Sequence, residues 1–190
     1  MRFNIELSGY LSGCGGKPRL VFRKRCDPVV KAFHWYMYSM FTGDVSVPMK
    51  KVDGNDQSSP WAWIGYAMLL NAPRDEDAYG PVVGSGTNAV GVDDYALQTK
   101  IAKGTGSGQL VYGITELVIF TVGASETLMV FHRPFTNSSG GDVTINETGL
   151  YSKYEAAAYY YLLARDVLGS GVTVNNGKIF TLRYKMSITT

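Results

Sequence analysis

The sequence predicts a mainly β protein: an antiparallel β-sandwich, jelly-roll or immunoglobulin-like, with an N-terminal hairpin and one α-helix. Three observations predict it. Along residues 178–188, Ile179, Thr181, Arg183 and Lys185 fall on one side, and Phe180, Leu182, Tyr184, Met186 and Ile188 on the other. That period of two marks a strand with one buried and one wet face. Two further apolar runs, 127–133 and 160–166, precede it and are separated by clusters of Gly, Asn and Asp. Composition agrees, since 22 Gly and 13 Tyr favour strands joined by tight turns, and 45% hydrophobic residues suffice for a core.

A length of 190 residues fits one compact domain. It reads as three parts: a hairpin plus helix (1–42), an irregular loop-rich insertion (43–80) and a sandwich body (81–190). A net charge of +2 carries no nucleic-acid footprint. No apolar run approaches the roughly 20 residues that cross a bilayer, so no membrane partner is expected. Residues 1–6 lack the apolar core and cleavage site of a secretory signal, and a cytoplasmic origin is expected.

Residues 2–11 and 18–26 read as hairpin strands around the Gly15-Gly16 turn. That register sets Cys26 near Ile5 and Cys14 near Lys17, too far apart for a disulfide. Arg19, Arg23, Lys24 and Arg25 on the second strand read as a charged, solvated edge. Contact with phosphate or an acidic partner is the alternative, and Arg23, Lys24 and Arg25 are interface candidates. A helix over 27–41 is expected from Asp27 at the N-cap, Pro28 at the first helical position and Gly43 just past the end. Val30, Phe33, Met37, Met40 and Phe41 form its apolar stripe. Trp35, Tyr36 and Tyr38 widen it, so Phe33, Trp35, Tyr36 and Tyr38 are interface candidates for a sheet or a neighbouring subunit. His34 reads as a packed residue, because no second metal-ligand type stands at i+4.

Within 43–80, Asp53 and Asp56, or Asp75, Glu76 and Asp77, lack the full calcium-loop pattern and read as solvated loops, so no metal site is assigned. Trp61, Trp63 and Tyr66 are expected to be partly buried and are interface candidates. The glycines of 83–88 and 104–108 satisfy neither a P-loop nor a dinucleotide fingerprint and read as turn glycines. Residues 93–97 read as a capped turn and 109–113 as an apolar stretch. Residues 117–122 read as a strand buried on both faces, forming a hairpin with 128–133. A turn over 135–142 leads to a strand at 143–147. The sequons at Asn137 and Asn146 read as coincidences of a Thr/Asn-rich β-protein.

Catalytic machinery is not expected. His34 and His132 are the two histidines, and His132 alternates with apolar neighbours on a sheet face. Glu147 and Asp166 give no sign of meeting, and Arg165-Asp166 reads as a structural pair at a strand end. No catalytic residue and no cofactor is assigned.

Several segments resemble those of tailed-bacteriophage virion structural proteins. They are Asp93-Asp94-Tyr95-Ala96-Leu97, the run from Gly104 to Gly113, Arg133-Pro134-Phe135-Thr136-Asn137-Ser138-Ser139-Gly140, and Glu147-Thr148-Gly149-Leu150-Tyr151. Leu163-Ala164-Arg165-Asp166-Val167 and Val172-Thr173-Val174-Asn175-Asn176-Gly177 extend the likeness, and the 27–33 segment shares it more weakly. The resemblance lies chiefly in 81–190 and implies a structural protein in many copies at the capsid surface, neck or tail of a virion. Its partners would be copies of itself and other virion proteins, and it implies no catalytic residues. The alternative is a carbohydrate-binding sandwich for host adsorption, with Trp61 and Trp63 stacking on a host glycan.

Overall fold

The computed structural model describes residues 2–13, 16–25, 30–35, 48–58, 68–123, 126–154 and 158–189. In chain order its strands are β1 (Arg2–Ser12), β2 (Arg19–Arg25), β3 (Pro48–Lys50), β4 (Asp56–Ser58), β5 (Met68–Leu69) and β6 (Gly80–Gly84). They continue with β7 (Val111–Tyr112), β8 (Glu116–Val122), β9 (Glu126–Thr136), β10 (Val143–Tyr154), β11 (Tyr159–Val174) and β12 (Ile179–Thr189). One sheet runs β2-β1-β12-β9-β7, with β8 also paired to β9. A second runs β11-β10-β5, with β6 also on β10, and β3-β4 is a separate ribbon. The strand pairs are antiparallel. The protein is an antiparallel β-sandwich.

The alternation of 178–188 is what seats β12 at the centre of the first sheet. Phe180, Leu182, Tyr184 and Met186 are buried while Thr181, Arg183 and Lys185 are half-exposed. The pattern ends early: Ser187 is buried and Ile188 exposed, the reverse of the sequence expectation. β1 pairs with β12 from Arg2↔Thr189 to Ser12↔Ile179, so the hairpin is woven into the sheet. Tyr184 and Thr148 hydrogen-bond between the two sheets, their hydroxyls 3.3 Å apart. Phe180 packs between Phe22 and Phe135, with centroids 6.2 and 6.1 Å away.

Several expectations are corrected. The 160–166 run lies in β11, where Tyr161 to Asp166 are all buried, so it lacks the wet face that β12 has. β10 continues well past residue 147, through Gly149, Ser152 and Lys153, whose polarity concealed it. Gly84 and Gly86 are not turn glycines: Gly84 lies in β6, and a side chain at either would meet Glu147 Oε1 at 2.6 or 2.5 Å. Their role is close approach. Gly104 and Gly108, at φ 142° and 74°, do take the left-handed conformation that a turn asks of glycine.

The turns that carry the chain between sheets, 137–142 and 175–178, lie side by side. Asn137 N–H donates to Lys178 O, and Gly177 N–H donates to Asn137 O. The Asn137 amide is buried, donates to Gly141 O and Val174 O, and accepts from Ser139. That sequon is therefore a structural clasp. Of the expected helix, residues 31–35 are helical, with Val30 and Ala32 buried; its predicted caps and Met37, Met40 and Phe41 of its stripe lie outside the described residues. Cys14 and Cys26 also lie outside them. No described helix is long and apolar enough to cross a membrane.

Candidate functional site

The most unusual surface is built by β8. All seven of its residues are exposed, which reverses the expectation of a strand buried on both faces. Leu117, Val118, Ile119, Phe120 and Val122 are each between 37 and 71% exposed. The cause is position. β8 pairs with β9 from Glu116↔His132 to Val122↔Thr127, with a bulge at Val118, and among the described strands it has no neighbour on its other side. It is an edge.

Register shows how the exposure arises. Phe120, Met129, Met186 and Ile5 stand opposite one another across β8, β9, β12 and β1 and so share one face. Ile5 and Met186 are buried, Met129 is half-buried and Phe120 is 66% exposed, so cover runs out towards the edge. A recess of about 110 Å³ there is lined by Phe120, Thr127, Met129, Met186, Ser187 and Ile188. Nearby polar groups already have partners: His132 Nε2 hydrogen-bonds Glu116 Oε2 at 2.9 Å, and Lys185 Nζ lies 3.1 Å from Glu126 Oε1. The edge is thus mainly apolar, with no cluster of like charges.

The candidates named from sequence are dispersed. Arg23 is exposed and reaches Glu6 at 3.4 Å, and Arg25 is exposed on the opposite edge of the same sheet. Lys24 turns inward instead, to 3.3 Å from the buried Asp166 and within hydrogen-bonding distance of Val167 O. The trio is therefore split by strand alternation rather than gathered into one basic surface. Phe33 and Trp35 are half-buried on the helical turn, Phe33 edge-on to His34 and Trp35 against the core. Tyr36, Tyr38, Trp61, Trp63 and Tyr66 lie outside the described residues.

Buried ions serve the framework. Arg133 is fully buried on β9 and donates to the carbonyls of Gly113, Tyr79, Pro81, Pro73 and Glu76. Burial pushes its pKa down to about 10, which leaves it charged at neutral pH. It clasps the 73–81 segment to the sheet. Arg165 lies within β11, not at its end, and pairs with Glu147 at 2.8 Å and Asp94 at 2.9 Å rather than with Asp166. Glu147 also accepts from the backbone N–H groups of Gly86, Gln98 and Thr99. Asp166 stands opposite Thr148, the residue after Glu147, so the two carboxylates project from opposite faces and do not converge.

The loop carboxylates are used locally. Asp53 Oδ1 accepts from Asn55 N–H, and that bond lowers its pKa. Asp77 pairs with Lys100 at 3.3 Å, and Glu76 accepts from Ala78 N–H. Among the described residues no three His, Cys, Asp or Glu side chains are grouped to hold a metal ion.

The exposure of β8 is not legible in its sequence because an apolar edge strand and a central strand have the same composition; the bulge and the missing neighbour are tertiary facts. Comparison with protein-family models, with curated proteins and with solved structures gives no match.

Proposed function

We propose that this chain is a non-enzymatic structural protein that assembles in many copies, with the β8 edge pairing to the same edge of a second copy. The observation that carries the reading is the full exposure of an apolar edge strand. Such an edge offers unpaired backbone donors and acceptors beside apolar side chains, which monomeric proteins guard against with charge, proline or cover. Here five of seven side chains are large and apolar. By register Leu117, Phe120 and Val122 share one face with Ile188, while Ile119 lies on the other. The four on the shared face form a patch on the order of a few hundred Å², the size at which an apolar surface marks a contact site.

A second copy fits this edge best. Its side chains are mainly apolar, Glu116 is hydrogen-bonded to His132 and Lys185 is paired with Glu126, so it carries no cluster of like charges with which to select an oppositely charged partner. Antiparallel pairing of a strand with itself is two-fold symmetric and satisfies both edges at once. The resemblance of segments in 81–190 to tailed-phage structural proteins supports a place in a virus particle, at the capsid surface, neck or tail, with other virion proteins as further partners. Hydrogen exchange at two protein concentrations tests the contact. The amides of residues 116–122 are expected to gain protection as concentration rises, and rapid, concentration-independent exchange there would reject it.

A further inference from the structure

We propose that the cleft between the 31–35 helical turn, the β3–β4 ribbon and the 91–97 loop binds a neutral oligosaccharide. This site is separate from the β8 edge and does not depend on assembly. The cleft encloses about 480 Å³, within the size range of small-molecule sites. Trp35 and Lys31 line it from the helical turn, Lys50 and Asp56 from the ribbon, and Asp93 and Tyr95 from the loop. A second recess of about 390 Å³ shares Asp93 and Tyr95 and continues past Asn88 and Gln98, giving room for more than one sugar ring.

The chemistry selects a neutral, hydroxyl-rich ligand. Lys31 Nζ is 3.4 Å from Asp93 and Lys50 Nζ is 4.0 Å from Asp56, so each lysine of the lining already faces a carboxylate. A phosphate or sulfate would have to displace a carboxylate, and a cationic ligand would have to displace an ammonium. A sugar displaces neither, since each hydroxyl donates to an aspartate while accepting from a lysine. The half-buried indole of Trp35 and the exposed phenol ring of Tyr95, over which Lys50 Nζ stands 5.5 Å from the centroid, give the lining aromatic surface for the C–H faces of pyranose rings.

The loop wall is held before any ligand arrives. Gly91 N–H donates to Asp94, Asp94 accepts from the buried Arg165, and Leu97 N–H donates to Tyr151 Oη at 2.5 Å. Beneath it, Glu147 accepts from Gln98 and Thr99. A wall fixed in this way reduces the ordering cost of binding. It also gives the most buried ion network of the second sheet a use beyond stability.

Calorimetric titration of the full chain tests the proposal. The probes are neutral tetrasaccharides of glucose, galactose and N-acetylglucosamine, with a sulfated heparin tetrasaccharide as the charged control. At least one neutral probe is expected to bind, with about tenfold weaker affinity in Tyr95→Ala through loss of a stacking ring. Asp93→Ala, at an exposed side chain, should weaken the same probe with the melting temperature unchanged; it decides the matter if Tyr95→Ala does not fold. No binding of any neutral probe, binding of the sulfated probe alone, or undiminished affinity in Asp93→Ala would overturn it.

Discussion

Glu147 shows how one residue organises a wall of this protein. Its carboxylate is fully buried and accepts from three backbone N–H groups and from Arg165. The bonds to Asp94 and Glu147 outweigh the burial that would lower the Arg165 pKa and hold it above its ordinary value. Removing one partner of a buried pair leaves the other charge uncompensated. Glu147→Gln keeps the shape and loses the charge. It is expected to destabilise the fold by about 3 kcal/mol in urea denaturation, with earliest proteolytic cleavage in 86–99. A change under about 0.5 kcal/mol, the range of ordinary surface substitutions, would show that Asp94 alone satisfies Arg165.

At the scale of elements, the crossing turns decide how one sheet is laid on the other. Asn137 closes both, so Asn137→Ala removes the donor that its amide supplies to the buried Val174 O, while the exposed Gly141 O keeps Ser139 Oγ at 3.2 Å. The expected loss is about 2 kcal/mol in thermal or urea unfolding, and unchanged stability would show that the flanking backbone bonds suffice. The elements were unevenly legible. β12 could be read because its alternation matches its burial, β9 because an apolar run marks it, and β1 and β2 because the glycines between them mark a hairpin turn. β10 and β11 were legible only in part, at 143–147 and 160–166, because polar Glu147, Thr148, Arg165 and Asp166 stand where a core strand is expected to be apolar. Each is satisfied by a partner distant in sequence, which no local pattern discloses. β8 was legible as a strand and not as an edge. For the site, Trp35 was legible as an aromatic in need of cover; its proximity to Asp56, Asp93 and Tyr95 arises only from the fold.

For the whole molecule, the core couples stability to alkaline pH. Tyr112, Tyr151 and Tyr161 are buried, and burial raises all three phenol pKa values above the ordinary value of about 10. The folded state therefore holds these protons more tightly than the unfolded chain. Their contribution is fully present below about pH 10 and is lost as pH rises further. Arg133 acts in the opposite sense, since its folded pKa of about 10 lies below its unfolded value. Three phenols against one guanidinium leave a net loss. Urea midpoints are expected to fall above pH 10, with a late-ionising group of phenols appearing in absorbance titration as the chain unfolds. A flat midpoint with all tyrosines ionising together would contradict this arrangement.

Within a framework that buries its ion networks, the apolar β8 edge is the surface proposed to bind copies of the chain. Sedimentation velocity of the wild-type chain and of Phe120→Asp, over a wide range of concentration, tests it most directly. Phe120 is 66% exposed, so the substitution places a charge on the edge without opening the core. The account predicts a wild-type chain that moves from monomer to dimer or larger species as concentration rises, and a Phe120→Asp chain that stays monomeric with an unchanged melting temperature. A wild-type chain that remains monomeric throughout, or a Phe120→Asp chain that assembles equally well, would contradict it.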